Sequence, residues 1–318
     1  MKAALLLVLS PVACGPATEE DGRLKIAGMF MQEDQFFRLV RFGMQQAAEE
    51  EGAELLLSTV DGKPEKELQL VNTYIARQVD AIVLSPLSAT ASVTALRRAR
   101  DAGIHVVAYN STVEGGLPAA FIESDQSNLG SQTGEAARAY IEENLGGQAQ
   151  IAILAFKSAL TEQSEARTNG FKSRIADLPG VEVVAEQDAW LPEMGIRKAG
   201  DILTANPGID LIWCANEGGT VGAVMAVKSA GRGGEVAVFG TDVSDQMLGF
   251  LLAEDQILQA VTGQKPFEIG YQAVKAAVAV IQGREVENHV SMPGVLLERR
   301  DLENVRAYRA RLQELIAN

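Results

Sequence analysis

Residues 80–110, DAIVLSPLSATASVTALRRARDAGIHVVAYN, hold a complete strand–helix–strand unit. Ala81–Pro86 reads as an apolar strand, Ala91–Ala102 as a helix that Gly103 stops, and His105–Asn110 as the next strand. The same unit repeats on both sides. Upstream lie a strand at Lys25–Phe30, an amphipathic helix from Phe36 to Glu51 stopped by Gly52, a strand at Glu54–Val60 and a helix opened by Pro64 that runs to Gln78. Downstream, Ala120–Ser124 is a strand, and Asp125 or Ser127 caps a helix that reaches about Asn144.

The alternation then restarts. Gln150–Phe156, Val181–Gln187, Leu211–Asn216, Glu235–Asp242 and Leu258–Thr262 read as strands, with helices from about Gln163, near Pro192, to Ala230 and to Ala253. Strands alternating with helices imply parallel sheets joined by right-handed crossovers. There are too many strands for one sheet of the mononucleotide-binding kind, so the expected fold is α/β, with two similar doubly wound lobes. No Gly/Ser/Pro-rich linker separates them, so the chain is expected to cross between lobes near Ser124-Asp125, Gln264-Lys265 and Met292-Pro293. That assigns 24–125 plus 265–292 to the N-terminal lobe and 126–264 plus 293–318 to the C-terminal one. The tail from Asp301 reads as a charged amphipathic helix. A three-crossover hinge of this sort permits closure around a ligand.

Composition narrows the function. With 318 residues, 47% of them hydrophobic, the chain can bury two cores. A formal net charge of −14 argues against nucleic acid, whose phosphates are met by clustered Lys and Arg, and against adsorption to anionic lipid. Lys2, the apolar run Ala3–Leu9 and Pro11-Val12-Ala13-Cys14 read as an export signal over residues 1–14, too short to span a bilayer, which takes about 20 apolar residues. Its end resembles a bacterial lipobox with Pro11 in place of the usual leucine. Cys14 is then the lipidation site, residues 15–23 a polar tether, and the lipid the only membrane attachment. Ordinary secretory cleavage nearby is the other reading. Cys214, inside an apolar run, reads as a buried thiol. No metal-ligand spacing is present, and His105 and His289 have no partners nearby in sequence; neither metal nor cofactor is expected.

Polar residues gather just after the apolar runs. Asp34 and Phe36, Asn110, Arg167, Trp190, Asn216, Asp242 and Gln264 sit there. In open α/β sheets, ligands bind outside the carboxyl ends of the strands. These positions offer amides, carboxylates, a guanidinium and flat rings, but no nucleophile motif, phosphate loop or dinucleotide fingerprint. Such groups suit an uncharged, hydroxyl-rich ring, and no catalytic residue is assigned. Each has a plainer reading: Phe36 as core beside Phe37, Asp242 as a turn residue after Gly240, Arg167 as a surface charge and Asn216 as a helix cap.

Five segments, 33–52, 80–110, SEARTNGF at 164–171, ANEGGTVGAVMAVKSAG at 215–231 and VFGTDVSD at 238–245, resemble the periplasmic sugar-binding proteins of ABC transporters, of the ribose and glucose/galactose type. The resemblance covers about Leu24 to Leu315. It implies that Phe36 and Trp190 sandwich a sugar ring, that Asp34 and Asp242 accept from hydroxyls, and that Arg167 donates to ring oxygen or hydroxyl. It also implies that Asn110, Asn216 and Gln264 bond hydroxyls in both senses. Where the hexose-type members carry a histidine and an aspartate before that arginine, this chain has Thr161 and Gln163. Gln163 is thus a neutral hydrogen-bonder in the place of a carboxylate. The calcium loop of those relatives has no counterpart. Tyr109, ahead of Asn110, is placed to narrow the pocket. The implied partners are a monosaccharide and the membrane permease of an ABC importer, in the bacterial envelope. The alternative is a sensor of the same fold. A repressor would need a DNA-binding headpiece where the export signal stands, and an enzyme would need a motif the chain lacks.

Overall fold

The computed structural model describes residues 22–317 apart from Thr112. The export signal, Cys14 and all of the tether except Gly22 and Arg23 lie outside the described residues. Two six-stranded sheets organise the rest. The first takes β1 (Lys25–Phe30), β2 (Glu54–Thr59), β3 (Ala81–Leu84), β4 (His105–Tyr109) and β5 (Ala120–Ser124), and also β11 (His289–Met292). The second takes β6 (Gln148–Ala155), β7 (Gly180–Asp188), β8 (Leu211–Cys214), β9 (Ala237–Thr241) and β10 (Leu258–Gly263), and also β12 (Val295–Glu298). Their strand orders, β2-β1-β3-β4-β5-β11 and β7-β6-β8-β9-β10-β12, are the same walk in each lobe. The two are structural repeats.

Ten helices flank these sheets among the described residues: α1 (Gln35–Glu50), α2 (Pro64–Ala76), α3 (Val93–Asp101), α4 (Gln126–Asn144), α5 (Thr161–Ile175), α6 (Pro192–Ala205), α7 (Glu217–Ser229), α8 (Asp245–Leu252), α9 (Pro266–Ile281) and α10 (Leu302–Ala317). Their starts follow from local chemistry. Asp34, Asp125, Asn216 and Ser244 accept backbone N–H groups as caps of α1, α4, α7 and α8, while Pro64, Pro192 and Pro266 open α2, α6 and α9. Strands β3 and β8 are buried along their whole length, as expected of strands covered on both faces.

The structure adds two short edge strands that the sequence reading passed over. β11 joins the first sheet parallel to β5, and β12 runs antiparallel to β10, so the second sheet is not wholly parallel. Only Pro293 and Gly294 separate them. A connection that short runs straight across from one sheet to the other: it leaves β11 at the carboxyl ends of the first sheet and enters the second at its carboxyl ends, which is why β12 is antiparallel to β10. Gly294 N–H donates to Asn128 Oδ1 at 2.9 Å and its carbonyl accepts from Gln132 Nε2 at 3.2 Å, which pins this passage to α4.

Helices α4 and α5 touch backbone to backbone. A Cβ on Gly130 would lie 1.8 Å from the Arg167 carbonyl, and one on Gly170 would lie 2.2 Å from that of Ser127. No side chain fits at either position. This contact sets how deeply Arg167 sits against the second sheet.

Candidate functional site

Because both sheets are parallel apart from β12, the carboxyl ends of their strands face one cleft. Two residues there are held in the left-handed backbone region at equivalent points of the two repeats: Asn110 after β4 (φ 61°) and Asp242 after β9 (φ 75°). Such backbone costs non-glycine residues energy and is retained where the surroundings fix it. Asn110 N–H is held by the Ile122 carbonyl and Asp242 N–H by that of Thr262, each at 2.9 Å.

Around Asp242 a continuous polar chain crosses from one lobe to the other. Ser124 Oγ, at the end of β5, donates to Gln264 Oε1 at 2.8 Å, and Gln264 Nε2 donates to Asp242 Oδ1 at 2.7 Å. Arg167 Nη1 reaches both Asp242 oxygens, at 3.3 and 3.2 Å, and the Glu217 N–H adds a bond of 3.1 Å to Oδ2. Arg167 also donates to the Ala215 carbonyl at 2.9 Å and, through Nε, to Gln126 Oε1 at 2.8 Å. Its guanidinium lies 5.1 Å from the Phe156 ring centroid. At 3% exposure it is a buried cation, not a surface charge. Such a group is retained only when its donors and its charge are matched, and Asp242 supplies the charge.

The remaining candidates divide into groups. Gln163 Nε2, on α5, donates to the Asn110 carbonyl at 3.1 Å, a direct bond across the cleft. Asn216 Oδ1 caps α7 by accepting from Gly219 N–H at 3.1 Å, and its Nδ2 donates to the Trp190 carbonyl at 2.8 Å. Both ends of that amide are therefore engaged. Asp34 caps α1 through Phe37 N–H at 2.9 Å and accepts from Gln32 Nε2 at 2.6 Å. Phe37 is the core member of its aromatic pair. Phe36 stays half-buried, edge-on to Phe37 at 5.1 Å between centroids. Trp190 stands 41% exposed just beyond β7.

Tyr109 corrects the expectation of a narrowed pocket. Its ring is fully buried in the core of the first lobe and its hydroxyl donates to the Met29 carbonyl at 2.9 Å. Strand alternation explains this: Asn110 turns out of the strand, while Tyr109 still belongs to the pleat and faces inward.

A cleft of about 620 Å³ opens beside this polar chain. Of the nine candidate residues, Asn110 and Gln163 line it; Asp34, Phe36, Arg167, Trp190, Asn216, Asp242 and Gln264 do not. Gln126 and Glu217 are groups of this region that the sequence reading did not single out. Gln126 lines the cleft and grips Arg167. Glu217, the residue after Asn216, is half-buried; desolvation raises its carboxyl above the ordinary range, with a hydrogen bond from Ser244 opposing and the charges of Asp242 and Asp34 adding to the rise. The acidic residue after Asn216 was visible in sequence, but its burial was not.

That shift has a consequence for stability. A carboxyl whose folded pKa is raised makes no difference below its unfolded value of about 4.3; its penalty on the folded state grows as pH rises from there and is complete once pH passes the raised value. Glu217→Gln is therefore expected to melt higher than the parent at pH 7, with the gain fading as pH falls to about 4. Melting curves of the ligand-free proteins across that range check it. Equal melting temperatures throughout would mean that burial does not strain Glu217.

Among the described residues no cluster of His, Cys, Asp and Glu is arranged to hold a metal ion, and no helix is long and apolar enough to cross a membrane. Cys214 is buried, which pushes its thiol well above the usual range. Its S–H is inert there.

Comparison with known proteins agrees with this architecture. The profile of the periplasmic binding protein domain matches residues 29–285. An ABC transporter periplasmic-binding protein of Escherichia coli K12, YphF, is 30% identical over 275 residues, covering 83% of this chain and 82% of that protein. The ribose import binding protein RbsB of Bacillus subtilis 168 is 28% identical over 259 residues, covering 81% of each. Among solved structures, an ABC transporter solute-binding protein of Actinobacillus succinogenes 130z with bound D-allose superposes with a TM-score of 0.80 at 25% identity, over 89% of this chain and all (100%) of that one. One from Bacillus halodurans C-125 with bound myo-inositol gives 0.78 at 26% identity, over 92% and 99%. With two repeated α/β lobes meeting at a polar cleft, and with a family profile that spans most of both, the chain belongs to the periplasmic binding protein domain family.

Proposed function

We propose that this protein is an extracytoplasmic solute-binding protein that captures a monosaccharide between its two lobes and delivers it to the permease of an ABC importer. The observation that carries the reading is the chain Ser124–Gln264–Asp242–Arg167–Gln126, which runs from the first lobe across the hinge into the second at the strand ends. A sugar hydroxyl both donates and accepts, and this chain presents both kinds of group, held rigid by partners. Relatives named for ribose import and structures holding D-allose or myo-inositol support a polyhydroxylated ring as the ligand.

In this reading Asp34, Phe36 and Asn110 act from the first lobe and Gln163, Arg167, Trp190, Asn216 and Asp242 from the second, with Gln264 at the crossover. The rings of Phe36 and Trp190 take the apolar faces of the sugar, and the polar groups take its rim. The lobes are residues 24–125 with 265–292, and 126–264 with 293–318. No bond of the ligand is made or broken, so the protein is no enzyme and uses no cofactor. Residues 1–14 direct export and Cys14 carries the lipid anchor. Neither lobe alone surrounds a sugar, so the ligand favours the state that joins them, by its difference in affinity for closed and open forms.

Thermal denaturation across aldoses, ketoses and inositols tests the reading. A ligand at a hundredfold excess over its dissociation constant stabilises by about 2.7 kcal/mol. The best hit should also reduce the radius of gyration in solution scattering. A melting temperature that ignores every neutral sugar but responds to amino acids or nucleotides overturns it.

A further inference from the structure

Helix α1 carries two apolar faces. Phe37, Val40, Met44 and Ala47, spaced by three and four residues, turn into the core of the first lobe, as a helix covering its own sheet requires. Leu39 and Phe42 turn elsewhere. They belong to an apolar cluster whose other members all lie between Ala152 and Ile316, in and around the second sheet, and Leu39 is buried there. Beside them, Arg38 Nη2 donates to the Ile316 carbonyl in the last turn of α10 at 2.7 Å, and its guanidinium lies 5.9 Å from the Phe42 ring centroid. A helix of the first lobe thus packs against the C-terminal helix of the second, through residues that belong to none of the chain crossings.

Both partners are anchored at home. Val305 and Leu312 of α10 are buried in the second lobe, and Asp245, the first residue of α8, accepts from Arg309 Nε and Nη2 at 2.8 Å each and from Gln313 Nε2 at 2.9 Å. On the other side, a Cβ on Gly43 would run into the Phe267 carbonyl and one on Gly270 into that of Val40, so α1 and α9 are pressed backbone to backbone. The contact therefore joins two stiff bodies, and breaking it frees lobes, not helix ends. It is made in the state in which Gln163 bonds the Asn110 carbonyl across the cleft. Its weight is apolar: the surface that Leu39 and Phe42 withdraw from water is exposed again when the lobes part. The bond from the exposed Arg38 adds direction more than strength.

The start of α1 also carries ligand groups, since Asp34 caps the helix and Phe36 lies in its first turn. We propose that α10 is a clasp that positions Asp34 and Phe36 against the second lobe's half of the site, by holding α1 in the closed arrangement before a ligand arrives. Arg38, Leu39 and Phe42 are the positioning residues. The apparent dissociation constant of a ligand is its intrinsic value divided by the fraction of protein in the competent state, so contacts that populate the closed state raise affinity without touching the sugar. The inference rests on the sugar reading for its ligand and on the packing of α1 against α10 for its geometry.

Solution scattering and calorimetry on the full-length mature protein test it. Arg38→Ala combined with Phe42→Ala removes much of the first lobe's share of the contact. Without ligand, this variant should show a larger radius of gyration than the parent protein. Saturated with the best sugar from the thermal screen, it should return to the parent's liganded value. Its affinity for that sugar should fall at least about fivefold. Leu315→Ser combined with Ile316→Ser, which alters only the last turn of α10, should do the same, and it carries the test if the first variant does not fold. A merely structural role would lower the melting temperature and leave the radii and the affinity where they were. An unchanged ligand-free radius in a folded variant overturns the clasp, and so does an unchanged affinity in a variant that has opened. If no sugar binds the parent protein, the sugar reading falls, and the ligand-free radii still decide whether α10 holds the lobes together.

Discussion

Arg167→Ala is expected to lower sugar affinity by at least about 2 kcal/mol, roughly thirtyfold, and to lower stability by about 3 kcal/mol as well. The two losses share one cause. Arg167 is 3% exposed and simultaneously holds Gln126, the Ala215 carbonyl and Asp242. Its removal leaves Asp242, whose side chain is 22% exposed, with a carboxylate bonded, among the described residues, by Gln264 and the Glu217 N–H. Breaking a buried pair by deleting one partner costs more than the pair contributes, because the survivor is left charged in a poor solvent. Arg167→Lys separates the contributions. A lysine restores the charge opposite Asp242 but lacks the planar fork that reaches Gln126 and Ala215 together. It should therefore recover part of the stability and little of the affinity. Urea unfolding and calorimetry on the three proteins are the measurements. Unchanged affinity in a folded Arg167→Ala protein would make Arg167 a structural residue only.

The same residue shows how far sequence reading reaches. The existence of the strands and their order along the chain follow from apolar runs punctuated by Gly and Pro, and the strand ends mark where polar residues collect. Arg167 lies within α5 and not at a strand end, so the resemblance of its segment SEARTNGF singled it out, while its burial was not legible. That depends on Gly130 and Gly170, which let α4 and α5 touch, and nothing local in either helix announces the contact. Gln126 stayed hidden for a similar reason. It reads as an ordinary first-turn residue of α4 until Arg167, 41 positions away, takes its carbonyl oxygen. The edge strands β11 and β12 have only four residues each, and their pairing is imposed by the sheets they complete. Asn216, by contrast, supports both readings at once, since a helix cap uses one lone pair of its carbonyl and one hydrogen remains on its amide.

Trp190→Ala is expected to separate affinity from stability in the opposite way. The main chain here is fixed without the ring. The Trp190 carbonyl accepts from Asn216 Nδ2, and a Cβ on Gly218 would lie 2.1 Å from it, so α7 approaches this strand end more closely than any side chain at 218 permits. The indole itself is 41% exposed, an unusual state for the largest apolar side chain in a protein. Truncation should therefore change the free energy of unfolding by no more than about 0.5 kcal/mol, as for other exposed positions. Affinity should fall by about 2 kcal/mol, near thirtyfold, because the apolar area that a sugar face would cover is gone. Trp190→Phe keeps a smaller flat ring and should lie between the two. The comparison is informative because Arg167→Ala moves both quantities and Trp190→Ala should move one. If Trp190→Ala binds the best sugar as tightly as the parent protein, the ring does not stack on the ligand, and the exposed indole belongs to a surface that docks elsewhere, such as the face presented to the permease.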